Sequence, residues 1–407
     1  MEGHGGGRNW IPIGAIVGCG LLIGGAASAA TIGTYSVNPT TDDGLAIPGF
    51  YPNIEADLVY TDNVLRVENG KQDSTFMVLA PEALWVRPAG KHLVRVGYQG
   101  EYAWHEALDS ENYDDHFLGA DANLDLTPKL DVNLLASYRQ EHEPRGGGGT
   151  VNQPPSSPTP NEWNEWIAAA KVVYGRRIAK AQITALLEHR SRDYTNNNQF
   201  LRSHDDNEVV VTLYYNVGAK THVVIEPSFV QMDYTNPISI LDNDVQRLLA
   251  GFTWSFAAKT TGEVKLGWVA KDYKDASLPD NSGFGVDATL TWRPKSYSTV
   301  TARITRDIYD SNASNGTTSF EALVASLDWE HKITSRVQLQ SGVVYEIDDY
   351  DTSNTDVLLG FNAGLSYQLR RDVNIAARYD YAIRESDFAD FDFTSHGLVL
   401  GVKTSFD

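Results

Sequence analysis

Residues 355–406 read TDVLLGFNAGLSYQLRRDVNIAARYDYAIRESDFADFDFTSHGLVLGVKTSF. Leu359, Phe361, Ala363, Leu365 and Tyr367 alternate with Gly360, Asn362, Gly364, Ser366 and Gln368. After a turn at Leu369-Arg370-Arg371-Asp372, Val373, Ile375, Ala377, Tyr379, Tyr381 and Ile383 alternate with Asn374, Ala376, Arg378, Asp380, Ala382 and Arg384. Side chains on a strand point to opposite faces in turn, so one face here is apolar and the other polar or charged. A soluble sandwich shares this period. The aromatic ends of the apolar face, and its run of about 10 residues, instead suit a strand tilted through lipid.

The chain closes on Gly401-Val402-Lys403-Thr404-Ser405-Phe406-Asp407. This resembles the C-terminal signal of bacterial outer-membrane barrels, a Gly followed five residues later by an aromatic, although Asp407 follows Phe406 and Thr404 replaces a large apolar residue. Gly401 and Phe406 are therefore candidates for recognition by the barrel-assembly machinery. The other end reads as a secretion signal over residues 1–29, with Arg8, an apolar run at 11–23 and the small-residue site Ala27-Ser28-Ala29. An uncleaved anchor over 10–30 is the competing reading. Ile16-Val17-Gly18-Cys19 resembles a lipobox, but apolar sequence continues past Cys19. Cys19 is the only cysteine, so a cleaved chain would have no thiol or disulfide chemistry. The net charge of −20 argues against nucleic acid as a partner.

Residues 30–50 read as a periplasmic linker, with the barrel proper at 51–407. Short basic turns recur at Pro88-Ala89-Gly90-Lys91, Pro128-Lys129, Gly175-Arg176-Arg177, Gly218-Ala219-Lys220, Ala258-Lys259, Pro294-Lys295, His331-Lys332 and Arg370-Arg371, mostly 36 to 43 residues apart. That period holds two strands, one tight turn and one longer loop. The expected fold is all-β, a transmembrane antiparallel β-barrel of eighteen strands, or sixteen if both terminal strands fail. The strands fall near 52–62, 74–87, 91–105, 115–127, 130–142, 163–174, 177–191, 207–217, 220–234, 244–257, 261–274, 283–293, 296–309, 318–330, 334–348, 355–368, 372–385 and 393–406. Closure is obligatory, because an open edge in lipid leaves backbone groups unpaired. Short turns face the periplasm and the longer, acidic loops face outside. The longest, 143–161, carries Gly146 to Gly149 and five prolines. It reads as an exposed loop, with a lid folded into the lumen as the alternative.

Catalytic constellations are missing: there is no Gly-x-Ser-x-Gly, His-Glu-x-x-His or phosphate-binding loop. His116, His189, His204, His222 and His396 are scattered, and an outer-membrane hydrolase is the remote alternative. The acidic pairs Asp114-Asp115, Asp205-Asp206 and Asp348-Asp349 lack calcium-loop spacing and read as solvated surface. No metal or cofactor is expected. Charges on the barrel must face a wet interior or each other, since each costs about 2–4 kcal/mol against lipid at the midplane. The expected lumen-lining residues are Arg95, Gln99, Glu101, Arg139, Glu226, Lys265, Lys271, Arg303, Asp307, Glu346, Arg378, Asp380 and Arg384, with Lys180 and Glu188 beside them. They make either a lined conduit or a ladder of ion pairs filling the lumen. Asn133, Ser137, Gln338, Gln340, Asn362, Ser366 and Gln368 supply neutral hydrogen-bonding groups on the same face.

With turns such as Leu126-Thr127-Pro128-Lys129 and Trp292-Arg293-Pro294-Lys295, and the opening Ile47-Pro48-Gly49-Phe50-Tyr51-Pro52 followed by Tyr60-Thr61-Asp62-Asn63, the chain resembles the bacterial putative beta-barrel porin type 2 family over about 50–406. The resemblance implies an outer-membrane location and no catalytic residues. It further implies export of an exopolysaccharide, with polysaccharide and periplasmic export components as partners beside outer-membrane lipid. A diffusion porin for small solutes is the alternative.

Overall fold

A computed structural model of the protein describes residues 47–146, 157–176, 179–218, 220–256, 259–311 and 316–406. The expected signal at 1–29 and most of the 30–50 linker lie outside the described residues. Eighteen strands follow in order: β1 Gly49–Thr61, β2 Ser74–Ala89, β3 His92–His105, β4 Tyr113–Thr127, β5 Leu130–Glu143, β6 Asn161–Tyr174, β7 Ala181–Tyr194, β8 His204–Gly218 and β9 Thr221–Tyr234. The second half is β10 Asn243–Phe256, β11 Thr260–Tyr273, β12 Asn281–Lys295, β13 Ser298–Asp310, β14 Ser319–Lys332, β15 Val337–Tyr350, β16 Thr355–Gln368, β17 Val373–Ser386 and β18 Phe393–Ser405.

Each strand pairs antiparallel with its sequence neighbours, and β1 pairs with β18 from Asn53↔Ser405 to Thr61↔Gly397. The sheet is thus a closed barrel with no free edge, which lets strands cross lipid with their ladders satisfied. The start of β1, the end of β18 and the eight short connections lie at one end, as expected for the periplasmic side. Gly90 in the β2–β3 turn has φ +64, a left-handed conformation that glycine takes without a Cβ penalty.

The alternation sorts the side chains. Leu359, Phe361, Leu365 and Tyr367 of β16 face outward, as do Leu398, Leu400 and Val402 of β18. Trp104, Trp166, Trp268 and Phe284 stand on the outer face toward the loop end, and Trp85, Trp254, Trp292 and Trp329 toward the turn end. These two rows bracket the apolar band as interfacial belts do. The inner face carries buried charge, including Glu55, Asp57, Glu165 and Glu346, interrupted by small apolar clusters.

Some sequence expectations shift. The barrel begins at Gly49, two residues before the expected 51. β7 runs Ala181–Tyr194 rather than 177–191, because Arg190, Arg192 and Tyr194 continue the inward alternation that a charge-rich stretch disguises. The three acidic pairs are not loop surface. They lie within β4, β8 and β15, with Asp115, Asp206 and Asp348 on the inner face. Lys180 does not point into the lumen. Its ammonium group lies 4.6 Å from the ring centroid of Tyr215, an outward-facing residue at the periplasmic rim.

Gly401 has a packing reason of its own. A Cβ at this position would collide with the Asp57 carboxylate, which occupies the inner face beside it. Phe406 lies just beyond β18 and is exposed; its N–H donates to Pro52 O at 3.1 Å.

Candidate functional site: the barrel lumen

The inner alternation brings all thirteen expected lining residues to the inner face, and most of them are engaged by other side chains of the barrel. Arg95 grips Asp121 with Nε and Nη2 at 2.9 and 2.8 Å. Glu101 accepts from the Tyr113 hydroxyl at 2.6 Å. Arg139 lies over Phe117, its guanidinium carbon 5.2 Å from the ring centroid, and 3.8 Å from Glu141. Arg378 pairs with Asp380 at 2.9 Å, Arg384 with Asp356, and Lys271 with Asp310. Gln99 stands between Glu82 and Phe117 in the register. Glu346 is buried, and Arg303 faces the more open periplasmic half.

Burial is uneven along the barrel axis. Inner residues near the loop end are largely buried, whereas Asp131, Arg303 and Asp328 toward the turn end are exposed and Asp125 is half-buried. Three features narrow the loop end. First, Arg145 pairs with Glu111 at 2.6 Å and donates to Ser157 O, anchoring both described roots of the 143–161 loop. A Cβ on the neighbouring Gly146 would lie 2.7 Å from Phe393 and 2.8 Å from Arg66, so this root reaches from β5 across to the β18 and β1 side. The described roots therefore follow the inward alternative; residues 147–156 lie outside the described residues. Second, Phe388 and Phe391 from the last loop pack on Phe320 and Tyr350 of the inner wall. Third, the top of β13 leaves the wall.

That departure is visible in the register. The β12–β13 ladder stops at Val286↔Arg306, whereas β11–β12 continues to Lys271↔Asn281 and β13–β14 to Asp310↔Ser319. Ile308, placed on the outer face by alternation, is only 4% exposed and packs on Val245 and Val269, inner residues of β10 and β11. Arg247 of β10 bonds Asp307 of β13 at 2.8 Å. Those strands are three apart, about 14 Å in an evenly spaced wall, so the contact requires β13 to lean inward. Gly285 makes room: a Cβ there would lie 2.7 Å from Val269 Cγ2.

Below the Arg247–Asp307 bridge is a cavity of about 300 Å³. Its polar lining centres on Lys265, whose ammonium lies 2.7 Å from Glu226, 2.8 Å from Asp287 and 3.3 Å from Glu263. Lys171, Thr212, Tyr214 and Ser228 complete the polar side, and Leu249 and Val269 the apolar side. Sequence reading missed Arg247, Lys171, Arg190 and Arg192. Arg247 sits between Val245 and Leu249, which also face inward, so the alternation there has no polar face to find.

Among the described residues no group of three or more His, Cys, Asp or Glu is arranged to hold a metal ion. Similar solved barrels include Pseudomonas aeruginosa OccK2 (OpdF), 10% identical with a TM-score of 0.49, covering 88% of this chain and 98% of that one. OccK9 (OpdG) of the same organism is 12% identical with a TM-score of 0.48, again over 88% and 98%. Acinetobacter baumannii OccAB3 is 10% identical with a TM-score of 0.46, over 88% and 99%. No curated protein matches this chain in sequence. The family model described as "Putative beta-barrel porin 2" matches residues 49–406. Family and fold point to a channel rather than an enzyme, and the chain belongs to this porin family as a β-barrel of the bacterial outer membrane.

Proposed function

We propose that this porin passes small solutes by diffusion, in the direction of uptake, in preference to exporting an exopolysaccharide. The observation that carries the reading is a cavity of about 300 Å³ on the inner wall of β6 to β13, bounded by the Arg247–Asp307 bridge. A volume of that order suits one small molecule. A moving polymer would need a continuous track of weak contacts through the loop end. Here that end is occupied by paired charges and packed aromatics. Lys265, Glu226 and Asp287 give the cavity wall both signs within hydrogen-bond reach, suited to a hydroxylated or charged solute. The test is deletion of the gene, with small-sugar uptake and surface polysaccharide measured side by side. Uptake should fall while polysaccharide stays constant; lost polysaccharide with normal uptake would restore the export reading.

The proposal extends to biogenesis. The assembly machinery would recognise the last strand through Phe406, whose ring is exposed beyond β18. Removing Phe406 and Asp407 should reduce the folded, heat-modifiable band on a gel. An undiminished band would show that insertion does not use this aromatic.

A further inference from the structure

Carboxylates outnumber cations on the inner face, and the excess is greatest along β18 and β1 to β5. Among the described residues, the cations facing inward on these strands are Lys403, Arg95 and Arg139. Each is already matched by an acid of the same wall: Lys403 lies 3.3 Å from Glu55, Arg95 2.8 Å from Asp121 and Arg139 3.8 Å from Glu141. Asp57, Glu101 and Asp131 face inward beside them with no lysine or arginine in ion-pair contact. On the far side of the barrel, Lys265 is shared by Glu226, Glu263 and Asp287. Glu208 and Glu346 are 7% and 1% exposed, and each buries a carboxylate oxygen that has no hydrogen-bond partner.

At β1 the surplus becomes a surface. Asn53, Glu55 and Asp57 point inward in succession, with Ser405 and Glu82 beside Asn53, Ala80 beside Glu55 and Gly401 beside Asp57 in the register. A Cβ on Gly401 would collide with Asp57 Oδ1 and stand 4.0 Å from Glu55 Oε1, so the bare glycine lets both carboxylates turn over one spot. Asn53 is 4% exposed, and neither its Oδ1 nor its Nδ2 has a partner. A buried amide is costly to leave in that state. A cation with several N–H donors would satisfy its oxygen while meeting the two carboxylates. Ammonium and guanidinium groups have that donor count. No group of three or more acids or histidines among the described residues is arranged for a metal ion, so the wall offers single contacts in sequence instead of one deep site.

We propose that the lumen selects small organic cations, amines and guanidinium compounds, over neutral and anionic solutes of the same size. The inference rests on the diffusion reading and names the class of solute it would carry. The probes are lysine, glutamine and glutamate, which are similar in size and carry a positive, no and a negative net charge at neutral pH. Each is presented to lipid vesicles holding the full barrel, and the swelling rate is recorded. Lysine should enter fastest and glutamate slowest, with about a tenfold ratio between them, as expected where one sign of charge lines a cleft. Asp57→Asn and Asp131→Asn together should reduce that ratio several-fold. Asp131→Asn alone, at an exposed position toward the turn end, should reduce it less and does not threaten folding. If all three solutes enter at one rate, or glutamate leads, the diffusion reading stands and the cation preference falls. A preference for lysine that neither variant changes would overturn the assignment to these carboxylates. If none of the three enters, the diffusion reading itself fails and this inference with it.

Discussion

Glu143→Ala should be the most destabilising single change in the loop-end collar, costing about 3–5 kcal/mol, the range for stranding a buried charge. Arg202 holds both Glu143 oxygens, Nη1 to Oε2 at 2.8 Å and Nη2 to Oε1 at 2.7 Å. The Tyr194 hydroxyl and Asn161 Nδ2 each donate to the same carboxylate at 2.9 Å. Burial alone would lower the Arg202 pKa; the facing carboxylate outweighs it and raises the guanidinium pKa above its ordinary value. Alanine at 143 leaves that cation, a hydroxyl and an amide without their acceptor at once. The turn Gln199–Arg202 would then lose its tie to β5, and with it the link between the loop after β7 and the root of the 143–161 loop. The measurement is the temperature at which the folded band is lost in a heat-modifiability series. Glu143→Ala with Arg202→Leu should recover much of the loss, because the orphan charge is gone. A single variant as heat-resistant as the parent would show the collar to be dispensable.

The barrel was legible because its signals are local. Each tight basic turn marks a hairpin, and each strand repeats with period two, so eighteen strands follow from counting. Residues such as Arg95, Arg378 and Asp380 could be assigned to the inner face because their neighbours on the outer face are apolar. What could not be read is what happens between strands that are distant in sequence. Nothing around Ile308 distinguishes it from an ordinary lipid-facing isoleucine; its burial comes from a ladder that stops at Val286↔Arg306. Likewise Arg247 looks like a charge misplaced in an apolar run until Asp307 comes to meet it. The acidic pairs misled for a related reason. In a soluble protein Asp-Asp marks a loop, but a strand with a wet inner face can carry one acid of the pair inward and the other above the belt.

Replacing both Arg247 and Asp307 by Ser should raise the ionic conductance of the purified barrel several-fold, with little loss of stability. The pair joins β10 to the inward-leaning top of β13, and its loss opens the roof of the cavity. Removing both partners leaves no buried charge unpaired, and such double replacements are often neutral. The single change Arg247→Ser has a different signature. It leaves Asp307 uncompensated above a cavity that also holds Glu226, Glu263 and Asp287, so the channel should turn more selective for cations while its conductance rises less. Exchanging the two residues, Arg247→Asp with Asp307→Arg, should restore the parental conductance, because the bridge is rebuilt with opposite polarity. Bilayer recordings under a salt gradient give conductance and reversal potential together. If the double Ser variant conducts like the parent, this bridge does not limit passage, and the restriction must be sought among the aromatics around Phe320 and Tyr350.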